Sequence, residues 1–229
     1  MGNGGKEMKI VKAPESFLWD GRKIYIFLAG SIEMGQAENW QEKVEKFLNK
    51  DEFKDCIILN PRRTDWDSSW GQSIKNPQFY EQVIWEIDCQ ERADIVFMYF
   101  SPGTKSPITL LELGLFARLN KLIVVCPEGF WRKGNVDIVC NTYNIPLYDN
   151  LEAGIEALKE RVIQMSEEKK MEFKNCMKCS YSFPNSDEGK PFNWGVRCEK
   201  AGKYIGTTFN IQDGVTPIPD WCPLRKGEK

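Results

Sequence analysis

No histidine occurs among the 229 residues. Its absence excludes Ser–His and Cys–His nucleophile–base pairs and every imidazole metal ligand. Acid–base work is left to Asp, Glu, Lys, Tyr or Cys. No apolar run reaches the roughly 18–20 residues that span a bilayer, so no membrane partner is expected. The formal net charge is only -2, which argues against a nucleic-acid partner, since that footprint needs a basic surface. The first six residues, MGNGGK, are Gly-rich and polar, with no apolar segment behind them. With no signal peptide, a reducing cytoplasm is the expected location. Internal repeats are absent too.

What is present is ordinary for a soluble globular chain, with 41% apolar and 28% charged residues. The length suits one α/β domain and a small appendage. The eight cysteines divide unevenly. Cys56, Cys89, Cys126 and Cys140 are scattered through the first 150 residues, whereas Cys176, Cys179, Cys198 and Cys222 crowd the last 55 or so. That asymmetry marks a boundary. We expect an extension over 1–20, a main domain over 21–168 and a small Cys-rich module over 169–229.

Residues 23–30 (KIYIFLAG), 56–59 (CIIL), 94–100 (DIVFMYF), 121–126 (KLIVVC) and 145–148 read as strands. Helices are expected over 37–48, 77–92, 106–117 and 151–165, with Pro77 and Pro107 suited to first turns and Ser106 to an N-cap. Glu167 to Lys170 reads as a solvated charge run ending the last helix. The strands are continuous apolar runs rather than alternating ones, as in sheets covered on both faces. The expected fold is therefore α/β: a doubly wound, flavodoxin-like, mostly parallel five-stranded sheet. Its ligand should lie beyond the carboxyl ends of the strands, at the switch point.

Within 101–114 (SPGTKSPITLLELG), Glu112 stands among leucines. Desolvation should raise its pKa, while the helix N-terminus should keep it ionised. Such a carboxylate is a competent nucleophile. On spacing alone, a solvated or Arg-paired glutamate is the commoner outcome. Glu86, and after it Asp88, lies on the helix feeding the third strand and offers a second carboxylate. Retaining glycosyl transfer uses such a pair. The turn through Gly30, Ser31 and Ile32 could hold a phosphate or a ribose hydroxyl, though it lacks the G-x-G-x-x-G and P-loop spacings. In 60–70 (NPRRTDWDSSW), Arg62, Arg63, Asp65 and Trp66 offer charged forks and a stacking face for a base.

Taken together, the FLAGSI strand–turn, the Ala93-Asp94-Ile95 strand and the LLELG helix resemble the nucleoside 2-deoxyribosyltransferase superfamily. The likeness runs from about 23 to 158. It implies that Glu112 is the nucleophile of a glycosyl-enzyme intermediate. It also implies that Glu86, where the family usually has Asp, assists the leaving base. Ser106 stands where classical transferases carry Asp. The related deoxynucleoside 5′-monophosphate N-hydrolases have Ser there, so Gly30, Ser31, Lys105 and Ser106 imply a 5′-phosphate site. Asn135 is the nearest match to the family's polar residue after strand four, which often comes from a neighbouring subunit. The implied partners are a nucleoside or nucleotide and further copies of the chain, with no cofactor for catalysis. The rival reading is a non-catalytic nucleotide-binding sensor, favoured if Glu86 and Glu112 point apart.

Cys176-x2-Cys179, with Cys198 and Cys222 following after 18 and 23 intervening residues, can offer four thiolates to one tetrahedral zinc. A module this small usually needs a staple. Free thiols or a redox pair are the alternative.

Overall fold

The computed structural model describes residues 8–21, 23–32, 38–63, 65–67 and 69–177, with side chains as far as 169, and the backbone of three later strands. The chain divides into two units, Met1–Val162 and Ile163–Lys229.

The elements follow in the order β1 (Lys9–Lys12), β2 (Ile24–Gly30), α1 (Trp40–Leu48), β3 (Cys56–Asn60), α2 (Pro77–Arg92), β4 (Ile95–Tyr99), α3 (Pro107–Phe116), β5 (Leu122–Val125), α4 (Lys133–Thr142), β6 (Leu147–Tyr148) and α5 (Leu151–Met177). The first unit holds a six-stranded sheet in the order β1-β3-β2-β4-β5-β6, and every pairing is parallel. The sheet thus has one strand more than the five expected. The sixth is KIVK at Lys9–Lys12, within the segment read as an extension; it adds to the edge of β3. The order of the other five, with β2 between β3 and β4, is the flavodoxin-like winding. The switch point lies between β2 and β4.

β2 shows why the strands read as unbroken apolar runs. Tyr25, Phe27 and Ala29 pack with Cys89 of α2, Leu113 and Phe116 of α3, and Val136 and Cys140 of α4. On the opposite face the ring of Trp40 in α1 meets that of Phe97 at 6.0 Å, and Gly154 of α5 lies against Val125 and Phe97. With both faces covered, each buried aliphatic or aromatic side chain contributes about 1.5–3 kcal/mol.

Two helices depart from expectation. α5 runs to Met177, through the charge run, because Glu and Lys are good helix formers. Ser106 does not cap α3 with its side chain. It adopts φ 41° and ψ 54°, a left-handed conformation, and its hydroxyl turns elsewhere.

Gly30 ends β2 at φ 149°; a Cβ there would collide with the Tyr99 carbonyl oxygen and lie 2.9 Å from Trp40 Cζ2. Only glycine lets β2 and β4 approach so closely at the switch point. Gly30→Ala is expected to destabilise the fold by about 1–3 kcal/mol, read as a lower midpoint in denaturant. An unchanged midpoint would mean the turn relaxes freely.

Among the described residues, no helix is long and apolar enough to cross a membrane. The second unit contributes β7 (Ser182–Asn185), β8 (Gly195–Cys198) and β9 (Lys203–Thr207), an antiparallel sheet in that order.

Candidate functional site

α2 presents Gln82, Glu86 and Gln90 at successive i, i+4 positions, which share one helix face. Gln82 Nε2 donates to Glu86 Oε1 at 2.7 Å and to the Pro61 carbonyl at 2.9 Å. Gln90 Nε2 donates to Glu112 Oε1, on α3, at 2.6 Å. The two partly buried carboxyls are near enough for one charge to act on the other. Burial pushes Glu86 up to about 7, against the Gln82 hydrogen bond. Burial first, and the Glu86 charge second, push Glu112 up to about 8, against the Gln90 hydrogen bond. The expectation that the helix N-terminus keeps Glu112 ionised is not met. That field fades within the first turn, and Glu112 lies beyond it. Two such neighbours titrate as a pair.

Three hydroxyls meet at the switch point. Ser31 Oγ lies 2.6 Å from Ser106 Oγ and 3.0 Å from Thr104 Oγ1, and Thr104 Oγ1 lies 2.9 Å from Ser106 Oγ. The Ser101 N–H donates to Ser31 Oγ at 2.9 Å. The Ser31 N–H is already committed to the Tyr99 carbonyl at 3.0 Å. Any anion held here would therefore meet hydroxyls rather than that amide. Ile32, half-buried, follows Ser31.

Beyond β3, Arg63 grips Asp65 with two bonds of 2.7 and 2.8 Å, reaches Gln82 Oε1 at 3.5 Å, and stands 4.9 Å from the Trp70 ring. The rings of Trp66 and Trp70 meet edge-on at 5.2 Å. Trp66 Nε1 is buried without a hydrogen-bond partner among the described residues. Arg62 Nη1 donates to Gln41 Oε1 at 3.3 Å. Both arginines line a polar cavity of about 490 Å³ with Lys12, Glu42, Glu45 and Asn60.

Residues 23–130 match the family described as nucleoside 2-deoxyribosyltransferase like. The match covers just under half of the chain and includes Ser31, Arg63, Glu86, Gln90, Ser106 and Glu112. The deoxyribosyltransferase-like family is an enzymatic one. Among solved structures, a conserved protein from Enterococcus faecalis V583 aligns over 61% of this chain and 99% of its own, at 10% identity and a TM-score of 0.45. No curated protein matches the sequence.

Within the matched segment, Asp88 is not brought to the carboxyl pair. It is exposed and pairs with Arg92 at 3.3 Å, because it lies on the outer side of α2. Lys105 is exposed, and its carbonyl accepts from Trp131 Nε1 at 2.9 Å. Asn135 lies outside the matched segment, exposed in the first turn of α4. Sequence reasoning missed Gln82, Gln90 and Thr104. The i, i+4 spacing from Glu86 was the available signal for the two glutamines. Burial pushes the thiols of Cys89, Cys126 and Cys140 up to about 12, so they are not nucleophiles. The side chains of Cys176, Cys179, Cys198 and Cys222 lie outside the described residues. Among the described residues no group of three His, Cys, Asp or Glu could hold a metal ion.

The raised pKa values have a consequence for stability. Below about pH 4.5 both carboxyls are neutral in the folded and unfolded chain alike. From about pH 4.5 the unfolded chain ionises both while the desolvated fold keeps its protons, so stability is lost progressively until pH passes about 7 and 8, and then levels off. The melting temperature should therefore fall between pH 5 and 9 by more in the wild type than in Glu112→Gln. Parallel curves for the two proteins would contradict the raised values.

Proposed function

We propose that the protein cleaves or exchanges the N-glycosidic bond of a nucleoside or nucleotide, with Glu112 as nucleophile and Glu86 as acid. The observation that carries the reading is the pair of desolvated carboxyls on α2 and α3, coupled by charge and each held by a glutamine. That coupling favours an enzyme over the sensor reading, for which the two acids would point apart.

In the first half-reaction a Glu112 carboxylate oxygen bonds to C1′ as the C1′–N bond breaks. The departing base keeps the electron pair and takes a proton from Glu86. In the second, a new base or water bonds to C1′, the ester to Glu112 breaks, and the acceptor's proton goes to Glu86. The raised affinity of Glu86 for its proton suits the acid role near neutral pH. Bringing Glu112 to its ionised state is then part of the cost of catalysis.

The hydroxyl cluster of Ser31, Thr104 and Ser106 favours a 5′-phosphate on the substrate over a free nucleoside. Trp66 and Arg63 supply a donor and a stacking neighbour for the base. The proposal includes a homo-oligomer; Ile108, Leu111 and Leu115 stay exposed along α3. It also includes a cytoplasmic location and, on spacing alone, a structural zinc on Cys176, Cys179, Cys198 and Cys222. The test is a panel of nucleosides and 5′-nucleotides, incubated with and without an acceptor base, with released base followed by chromatography. Release from at least one member supports the reading. No release from any purine or pyrimidine member contradicts it.

A further inference from the structure

We propose that Gln90 is a positioning residue for Glu112, holding one carboxyl oxygen so that the other faces the sugar. This rests on the reading of Glu112 as nucleophile.

Three observations place Gln90 in that role. It is fully buried, and its amide reaches across from α2 to α3 to meet Glu112 Oε1 at 2.6 Å. Its backbone is clamped, since Lys121 Nζ takes the carbonyls of Gln90 and Glu91 at 2.6 and 2.7 Å, closing the end of α2. The amide therefore starts from a fixed point. Finally, Gln90 Oε1 is buried with no hydrogen-bond partner among the described residues. Leaving a buried acceptor empty is costly, so an apolar side chain of the same shape would suit mere packing better.

The chemistry of an amide accounts for the choice. It carries a donor and an acceptor on one planar group. The nitrogen can donate to the ionised Glu112. Turned half a revolution about its last torsion, the oxygen can accept from the neutral acid. One residue thus serves both protonation states of Glu112, the carboxylate that attacks the sugar and the neutral acid at rest, and its unpartnered acceptor matches the second. Glu86, four residues earlier on the same face, is the charged group that bears on Glu112, and it opposes ionisation. Gln90 is the group that favours it. Gln82 holds the same relation to Glu86.

The test compares wild type with Gln90→Met, which keeps length and removes both polar atoms. Turnover of whichever substrate the panel identifies is followed across pH. The Glu112 carboxyl is also titrated by carbon NMR in selectively labelled protein, with Glu112→Gln assigning the signal. Gln90→Met should lower kcat by about 10–100-fold with KM within about twofold. The acid limb of the rate profile and the Glu112 midpoint should both rise by about one pH unit. Gln90→Glu, which keeps the shape and adds a second acid, should move the midpoint further in the same direction; it carries the test if the Met variant does not fold. An unmoved Glu112 midpoint, or a loss confined to KM, overturns the proposal. Failure of the parent reading would look different: Glu112→Gln would keep wild-type turnover while the midpoint in the wild-type background still followed Gln90.

Discussion

Glu112→Gln is expected to lower base release by about 10⁴-fold or more while leaving the chain folded. The substitution keeps the shape and removes the nucleophilic oxygen. Gln90 can still meet the new amide by turning its own, so the packing between α2 and α3 survives. The variant should also be the more stable protein at pH 8, because a desolvated group that resists ionising is gone. Loss of activity together with a gain in melting temperature separates a chemical role from a structural one. A glutamate that merely closed an ion pair would show the reverse sign in stability, since removing it would strand a buried cation. Retained turnover would remove Glu112 from the chemistry.

Glu86→Gln should cost about 10²–10⁴-fold on natural substrates, the usual contribution of a positioned general acid. The loss should depend on the leaving group. A base that already carries positive charge, such as an N7-methylated purine, departs without a proton, so the first half-reaction should be largely restored. Removing the Glu86 charge should also ease ionisation of Glu112, moving the acid limb of the rate profile down in pH. Asp88→Asn is the control. Its carboxyl is exposed and paired with Arg92, so activity should stay within about twofold of wild type, as for surface positions away from the chemistry. Equal loss for methylated and unmethylated purines would argue against the acid role of Glu86.

Much of the fold was legible because strands covered on both faces have no polar side to obscure them. β2, β3, β4 and β5 fall within a residue or so of the segments expected from their apolar runs, and α2 falls on 77–92 as its proline suggests. β1 was missed for a physical reason. It is a four-residue edge strand with a lysine at each end, and an edge strand carries charge where a central one would not. Ser106 does stand at the N-cap position of α3, as expected, but its side chain makes no capping bond, because its backbone is left-handed and its hydroxyl is drawn to Ser31. In the candidate site, carboxylates and serines were visible because their chemistry is distinctive. Gln82 and Gln90 were not, because glutamine has no titration and no motif of its own. Its meaning appears only when the partner across the helix interface is known. The same limit misplaced Asp88: two residues from Glu86 in sequence is roughly the opposite side of an α-helix.

The central claim is a covalent bond between Glu112 and the sugar. Glu86→Gln with an N7-methylated purine substrate should form that bond readily and break it slowly, since the second half-reaction lacks its base. Acid quench followed by peptide mass mapping is the direct measurement. The account predicts that the peptide containing Glu112 gains the mass of the pentosyl or phosphopentosyl group, and that the gain is absent when Glu112 is also replaced. Base release at full rate with no adduct on that peptide, or with the adduct on another residue, would contradict it.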